Sequence, residues 1–418
     1  MIKTNRILFL VGVLLFAFFL LLADRIIFQS HPEVEKEYRY LALFSEVVSQ
    51  VKTNYVEDVD PAEKFPGAFS AMLNSLDHFS AYLDPAKTQT YGAYQSGRFY
   101  GCGIYGAKVL NYFFITDVTP DSPAHRAGLK HGDMIKAVNG VSLYSRSYWE
   151  MVLSLLSTGP QNIQLTLFKK DSRDTQKFQL QTRLIELRTI VTPMPKDILL
   201  VKLPRFDAGA AALLKEQLAA YSGAPNRKNN PLKLIIDLRT YRGGDLESFK
   251  QIANLFFKDK IALTLKLKDK VKDIFPETKE KNVPGYTAVV IINRSTRVYG
   301  ELLAAILKNP GTRNKNKNGN GTAPRHPVTL VGTTTQGFIS ELKSIPLQDG
   351  SSILLTEGLF LLNGKSTASR GIEPDIEIKD KDSGQIMDTC ISILTAGAVP
   401  GGPTTEKHDN GKEKGKTQ

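Results

Sequence analysis

The chain has 418 residues, of which 42% are hydrophobic, and its formal net charge is +12. This length predicts on the order of two or three domains, and the apolar content excludes a wholly disordered protein. Much of the basic excess lies in residues 258–281, in an Asn/Lys-rich insertion at 313–325 and in the tail. Because no aromatic-interleaved basic motif accompanies it, we predict no nucleic-acid partner. Cys102 and Cys390 are too far apart for a disulfide framework, which favours two buried thiols over a bridge.

An apolar run at residues 7–23 is the first signal in chain order, and Lys3 and Arg6 precede it. It is at the short end of what spans a bilayer, and the basic residues favour a cytoplasmic N-terminus. A cleaved signal peptide is the alternative, but Leu21-Leu22-Ala23 is a poor cleavage site. We therefore predict that residues 1–30 form a cytoplasmic stub and a single-pass inner-membrane anchor. The bulk of the protein would then lie in the periplasm or outside the cell.

The residues that follow divide into regions with different hydrophobic patterns. Residues 31–98 predict a helical lead-in, because apolar residues recur there at three- and four-residue spacing. Residues 99–187 combine short apolar strands with Gly and Pro turns, which is typical of one small α+β domain. In residues 188–397 strands alternate with helices, which predicts βαβ units around a buried sheet. Residues 398–418 are Gly-rich and charged and are predicted to be disordered. The predicted fold class is a multidomain α+β and α/β protein.

Local patterns place individual elements within these regions. Strands are predicted over 113–118, 134–139, 163–168, 199–203, 232–238, 288–292 and 328–331. Helices are predicted over 123–129, 147–157, 208–220, 249–257 and 301–308. The polar segment 311–327 is predicted to be a surface loop.

The segment 118–140 carries, in order, Ser-Pro-Ala, Ala-Gly-Leu, Gly-Asp and Asn-Gly. This segment resembles the core of a bacterial PDZ domain. The resemblance places Gly101-Cys102-Gly103-Ile104 at the loop where PDZ domains expose consecutive amides. Such amides bind the terminal carboxylate of a peptide that adds to the sheet as a strand. For this glycine pair taken alone, an ordinary turn is the alternative.

Three other segments extend the resemblance: Leu76–Leu83, Asp237–Gly244 and Arg370–Ile376. They resemble the Leu-Asp-Pro-His-Ser-x-Tyr, Asp-Leu-Arg-x-Asn-Pro-Gly-Gly and Gly-x-x-Pro-Asp elements of the carboxyl-terminal processing (tail-specific) serine protease family. With the PDZ segment they follow the family's order over residues 40–380. The resemblance implies a PDZ domain, a βαβ-rich protease-like domain and unfolded or C-terminally exposed polypeptides as partners. The six histidines show no ligand spacing and no nucleotide motif is present, so no metal or cofactor is predicted.

Members of this family use a serine nucleophile and a lysine base. A hydroxyl needs a neighbour that takes its proton, and a lysine does so only when desolvation keeps it neutral. The family's Ser-Ala-Ser-Ala-Ser-Glu motif, set against the helix that begins at Glu301, places Val298 at the serine. The Gly-x-x-Thr-aromatic-Gly-Lys pattern, set against residues 332–338, places Phe338 at the lysine. Leu342 stands at the assisting glutamine, and Asn309 at a position that is often acidic.

These substitutions predict that no catalytic residue is retained and that the protein is a pseudoenzyme with a binding or regulatory role. An active relative or a homo-oligomer would be its partner. The alternative is an active serine-type endopeptidase with a rearranged set of residues. The nearby candidates are Ser295, Thr296, Ser340, Lys308 and Lys343. Because catalysis tolerates misplacement of only about 1 Å, we favour the first interpretation. Gly243 and Gly244 either preserve an oxyanion-like pocket of amides or serve only the turn.

Overall fold

The computed structural model describes residues 32–170, 172, 174–223, 230–257, 261–275, 285–308, 327–366, 370–378 and 383–396. The predicted anchor, most of the predicted loop at 311–327 and the predicted disordered tail lie outside these ranges. Across the ranges that are described, no helix has both the length and the apolar character needed to cross a bilayer. The chain divides into two compact units, residues 1–69 and 70–418.

The described residues of the first unit are helical apart from the connection at 55–60. This unit contains α1 (Pro32–Asn54) and the start of α2 (Pro61–Asn74), which agrees with the helical spacing of the sequence. Phe65 connects the two helices, since its ring centroid lies 5.9 Å from that of Phe44 and 6.1 Å from that of Phe69.

The second unit begins with strands and short helices that form its first sheet and a small three-stranded sheet. Their bounds are β1 (Ala81–Leu83), α3 (Pro85–Ser96), β2 (Arg98–Gly101), β3 (Ile104–Val109), β4 (Tyr112–Val118), α4 (Pro123–Arg126), β5 (Met134–Val138), β6 (Val141–Ser142), α5 (Tyr148–Leu153), β7 (Leu156–Ser157), β8 (Asn162–Phe168), β9 (Thr175–Gln181) and β10 (Arg183–Glu186). The first sheet has the antiparallel order β3-β4-β5-β8-β9, with β6 beside β5, and the small sheet has the order β10-β2-β7. Strand β3 is therefore an edge strand.

The helix predicted over 147–157 is shorter than predicted. Ser147 begins it with a capping box, in which its hydroxyl accepts from the N–H of Glu150 and the Glu150 carboxylate accepts from the N–H of Ser147. Helix α5 nevertheless ends at Leu153, because residues 156–157 pair with β2 as strand β7. That pairing is a long-range contact, which helical spacing alone does not indicate.

A six-stranded sheet forms the largest part of the second unit. Its strands and helices are β11 (Ile190–Met194), β12 (Ile198–Lys202), α6 (Ala208–Ser222), β13 (Leu232–Asp237), α7 (Leu246–Asn254), β16 (Tyr286–Ile292), α8 (Tyr299–Lys308), β17 (Val328–Gly332), β20 (Ile376–Glu377) and α9 (Ser383–Ala396). The order is β11-β12-β13-β16-β17-β20, and only the pairing of β11 with β12 is antiparallel. Helix α7 begins earlier than the predicted 249–257, because the Asp245 carboxylate caps the N–H of Ser248.

Both faces of this sheet are buried, which explains the continuous apolar runs of its strands. Leu234 and Ile236 pack with the helices α6, α7 and α8, whereas Ile235 packs on the opposite face with α9. Cys390 lies in that second layer and Cys102 lies in the core below the first sheet, so the two free thiols belong to different cores. Burial raises the pKa of each thiol to about 12.

A further sheet combines strands from distant parts of the second unit, and it was not predicted from the sequence. It contains β14 (Leu263–Leu267), β15 (Val271–Asp273), β18 (Ser340–Pro346) and β19 (Ser352–Leu362) together with β1. Strand β19 is central, since it pairs with β1, β14 and β18. The register of β18 against β19 shifts between Glu341 and Leu342, directly beside the predicted catalytic positions.

Candidate active site and adjoining groove

Val298 lies on the turn between β16 and α8, at the position predicted for the serine. Its φ is 41°, in the left-handed region where a β-branched residue is strained. The turn is held in place, because the N–H of Val298 donates to the carbonyl of Phe338 at 2.6 Å and its carbonyl accepts from the N–H of Leu302. Strained turns between a strand and a helix present the nucleophile in some hydrolases. Here the turn carries an isopropyl group.

This strain yields a first prediction, on Val298→Gly. Glycine adopts positive φ without steric cost, and the strain at such a residue is worth about 1–3 kcal/mol. The partly buried side chain loses about 1 kcal/mol of packing. We therefore expect the free energy of unfolding in urea to equal or slightly exceed that of the wild type. The matched control is Val328→Gly, which is also partly buried against the same core but has no positive φ. It should lose about 2 kcal/mol, and an equal loss in both variants would contradict strain at Val298.

Phe338, at the predicted lysine position, is packed into the interior. It is 5% exposed, and its ring stacks on Phe79 with centroids 3.4 Å apart and planes inclined by 22°. Phe79 is itself positioned by Asp77, whose carboxylate accepts from the backbone N–H groups of Phe79 and Ser80. Leu342, at the predicted glutamine position, is partly buried against the core below the first sheet. Three apolar side chains thus occupy the predicted catalytic positions, while Asn309 lies outside the described residues.

The hydroxyls of the alternative catalytic set make contacts elsewhere. The Ser295 hydroxyl is 3.1 Å from the hydroxyl of Thr116 on β4. Thr296 donates to the carbonyl of Leu238 at 3.0 Å. Ser340 is buried at the start of β18, opposite Leu359.

The two lysines of the alternative catalytic set form ion pairs with carboxylates. Lys308 Nζ lies 2.8 Å from a carboxylate oxygen of Asp375, and Lys343 Nζ lies 3.3 Å from one of Glu357. Over the described ranges, no hydrogen bond joins either amine to a serine or threonine hydroxyl. Among the five described candidates, none of the hydroxyls is therefore paired with one of the amines as in a serine–lysine dyad.

Gly243 and Gly244 form the turn after β13, and the geometry requires glycine at the second position. Gly244 has φ 151°, and a Cβ there would lie 2.2 Å from the carbonyl oxygen of Phe206. Phe206 accepts from the N–H of Asp245 and donates to the carbonyl of Gly243. Among the described residues the N–H groups of the two glycines have no acceptor. The glycines thus serve the turn and also leave two amide N–H groups free. Both alternatives fit this geometry, so the oxyanion-like pocket stays a prediction.

Glu301 is a further functional candidate. From the sequence it served only as the glutamate against which the Ser-Ala-Ser-Ala-Ser-Glu motif was aligned. It lies in the first turn of α8, fully buried, and its Oε1 accepts from the N–H of Gly337 at 2.6 Å. Burial raises the pKa of Glu301 to about 7, against the opposing effect of hydrogen bonds from Thr335 and the backbone of Gly337 and Phe338. Glu301, the acid of the resembled motif, is therefore retained three residues after Val298.

The predicted peptide-binding loop connects β2 to β3. Gly101 ends β2, Cys102 and Gly103 form the turn, and Ile104 begins β3. Gly103 has φ 76°, and a Cβ there would lie 2.3 Å from the side chain of Ser122. The carbonyls of Cys102 and Gly103 accept from the N–H groups of Ala124 and Thr119. These contacts anchor the loop from its carbonyl side at the start of an edge strand, as β-strand addition requires.

A groove runs between β3 and α5. Two arginines from turns of the largely parallel sheet also line it, one after β13 and one before α8. The lining of the groove includes Tyr105 of β3, Tyr148 and Val152 of α5, and the side chains of Arg242 and Arg297. The Arg242 guanidinium carbon lies 3.3 Å from the centroid of the Tyr105 ring, and that of Arg297 lies 4.9 Å from the centroid of Tyr148. Arg242 stands where the resembled Asp-Leu-Arg-x-Asn-Pro-Gly-Gly pattern has proline. The sequence analysis did not identify either arginine.

Comparison with known families agrees with this arrangement. The sequence model of peptidase family S41 matches residues 197–378, and that of a PDZ domain matches residues 114–167. The chain contains a peptidase S41 domain and a PDZ domain. The predictions of this family and of a PDZ domain are confirmed. The first match covers every strand of the largely parallel sheet except β11, and the second covers β5, β6 and most of β4 and β8 of the first sheet. The module with the largely parallel sheet is called the S41 domain below, and the module with the first sheet is called the PDZ domain.

Proteins similar to this chain are named carboxy-terminal processing proteases. The one from Bartonella bacilliformis is 25% identical over 385 residues, covering 89% of this chain and 82% of that protein. CtpB from Bacillus subtilis is 26% identical over 341 residues, covering 79% of this chain and 66% of that protein. The solved photosystem II D1 C-terminal processing protease has the same fold, with a TM-score of 0.61 and 18% identity over 83% of this chain and 90% of that one.

Proposed function

We propose that this S41 chain is a membrane-anchored envelope protein that binds polypeptide C-termini through its PDZ domain without cleaving them. The observation that carries the proposal is the occupation of the predicted serine, lysine and glutamine positions by Val298, Phe338 and Leu342. Two of these side chains pack against aromatic or apolar neighbours, and the strained turn has no hydroxyl. The apolar run at residues 7–23 supports the anchor in the inner membrane. An active S41 relative or a second copy of the chain is the proposed partner.

Peptide binding is proposed to occur along β3. This edge strand has unpaired backbone groups on the side of the groove, and α5 provides an apolar wall opposite it. The loop of Gly101, Cys102, Gly103 and Ile104 lies at its start and supplies amides for a terminal carboxylate. The S41 domain then serves as a rigid support for the PDZ domain rather than as an enzyme.

The decisive experiment uses the full chain and a fluorescent peptide with an apolar, free C-terminus. We expect a rise in polarisation on binding and no cleavage by mass spectrometry after prolonged incubation. Val152→Trp should fill the groove and abolish binding, because the indole occupies the space opposite β3. The matched control is Val141→Trp, at a 57% exposed position of the PDZ domain on β6, which should bind normally.

Cleavage by the wild-type chain would overturn the proposal. If that cleavage were lost in Ser295→Ala or Ser340→Ala, the alternative of an endopeptidase with a rearranged catalytic set would be established instead. Loss of binding in both tryptophan variants would point to a folding defect, which thermal unfolding of each variant would reveal.

A further inference from the structure

Arg242 is a buried cation whose hydrogen-bonding capacity is largely unused. It is 3% exposed, and its Nη1 donates to the carbonyl of the neighbouring Tyr241 at 2.8 Å. Its Nε and Nη2 are buried and have no acceptor among the described residues. Each buried donor left unsatisfied costs about 1–3 kcal/mol, and more when the group is charged. Such a group calls for an explanation, and a bound ligand that supplies the acceptor is one.

The surroundings of Arg242 orient these donors for recognition. Its guanidinium carbon lies over the Tyr105 ring, 3.3 Å from the centroid, a contact that restricts how the guanidinium can turn. Arg297 lies over Tyr148 in the same groove and is partly buried. In the described part of the chain, neither guanidinium forms an ion pair with a carboxylate. Glu301 acts on Arg297 only electrostatically, since its bonded oxygen is used by Gly337.

Resting on the proposed function, we propose that Arg242 and Arg297 form a carboxylate-binding site that the S41 domain contributes to the groove of the PDZ domain. The site would hold a carboxylate of the polypeptide that lies along β3. That group is either the terminal carboxylate or the side chain of an Asp or Glu close to the terminus. The guanidinium fork matches a carboxylate in bidentate geometry, and the aromatic walls exclude water from the pair.

Arg242 stands where the resembled pattern has proline, so a carboxylate site at this position is a property of this chain and is not implied by the family.

The test compares four fluorescent peptides of one apolar sequence. They carry a free or an amidated C-terminus, each with Glu or Gln at the penultimate position. Polarisation is measured on the full-length wild type and on Arg242→Met, Arg242→Lys and Arg297→Met. We expect Arg242→Met to weaken binding of the preferred peptide at least about tenfold, as loss of a charge-assisted bond requires. The peptides without the recognised carboxylate should bind the variant and the wild type equally.

The two sources of the carboxylate give different patterns. A terminal carboxylate is recognised if amidation removes the difference between wild type and Arg242→Met, and an acidic side chain is recognised if Glu→Gln removes it. Arg98→Met, at an exposed arginine of β2 outside the groove, is the matched control and should bind all peptides normally. Arg242→Met should melt at or above the wild-type temperature, because it removes an unpaired buried charge.

Two negative results are distinct. If the wild type binds peptides and Arg242→Met and Arg297→Met retain the same preference among the four, the carboxylate site is wrong while the proposed function stands. If the wild type binds none of them, the proposed function fails and the site fails with it.

Discussion

Phe338→Lys is expected to lower the free energy of unfolding by about 3–5 kcal/mol at neutral pH and to leave the chain without peptidase activity. The lysine removes a buried aromatic side chain and its stack on Phe79, and losses of this size are typical of such sites. It also places an ammonium group in an apolar environment, where burial disfavours the charged form. The same side chain that a catalytic lysine would replace is therefore a structural element here.

The pH dependence of the stability of Phe338→Lys separates the cost of burying the charge from the cost of the lost aromatic volume. A buried lysine has a lowered pKa in the folded state, so its penalty shrinks as the pH rises toward its unfolded value near 10. Urea unfolding near neutral pH and at about pH 9 should show a smaller deficit at the higher pH. The matched control, Phe338→Leu, should lose only about 1 kcal/mol at both. If Phe338→Lys were as stable as Phe338→Leu at neutral pH, the site would still accommodate a lysine, and the packing of Phe338 would no longer support a protein that binds without cleaving.

Glu301→Gln is expected to remove a pH-dependent loss of stability from the wild type. The pKa of Glu301 is about 7 in the folded chain and 4.5 when unperturbed, because burial disfavours the carboxylate. A raised pKa means that the wild type has its full stability below 4.5 and loses it as the pH rises through about 7, by about 3 kcal/mol in total. Glutamine stays neutral and its carbonyl still accepts from Gly337, so the variant lacks this loss.

The measurement is the difference in free energy of unfolding between Glu301→Gln and the wild type across this pH range. Other titrating groups are common to both proteins and cancel, so the difference should grow in favour of the variant by about 3 kcal/mol. Glu216→Gln, an exposed change on α6, controls for the altered net charge. A difference that stays constant with pH would show that folding does not raise the pKa of Glu301.

Val298 and Glu301 lie close together where β16 leads into α8. The turn at Val298 has a strained backbone, and Glu301 accepts a hydrogen bond from the loop that carries Phe338. Such strain usually accompanies function, and under the proposed non-catalytic function it only lowers stability. This is why Val298→Gly should be tolerated and Phe338→Lys should not.

Much of the S41 domain was predictable from local pattern. Strands β13 and β16 are continuous apolar runs because helices cover both faces of their sheet, and α8 follows from its apolar spacing. The positions of Val298 and Phe338 followed from motif spacing, since glycines and Glu301 keep the register around them. These features depend on residues that are near one another in the chain.

Features that depend on distant contacts were not predictable in this way. Strand β19 owes its existence to β1, β14 and β18, and Glu357 and Gly358 interrupt its apolar run. The role of Arg242 arises only because packing of the S41 and PDZ domains brings it against Tyr105. The sequence by itself determined the resemblance to the family, the apolar residues at the predicted catalytic positions and the strands of the central sheet. Only the tertiary structure decided which side chains meet in the groove, because burial and pairing there join segments that no local period relates.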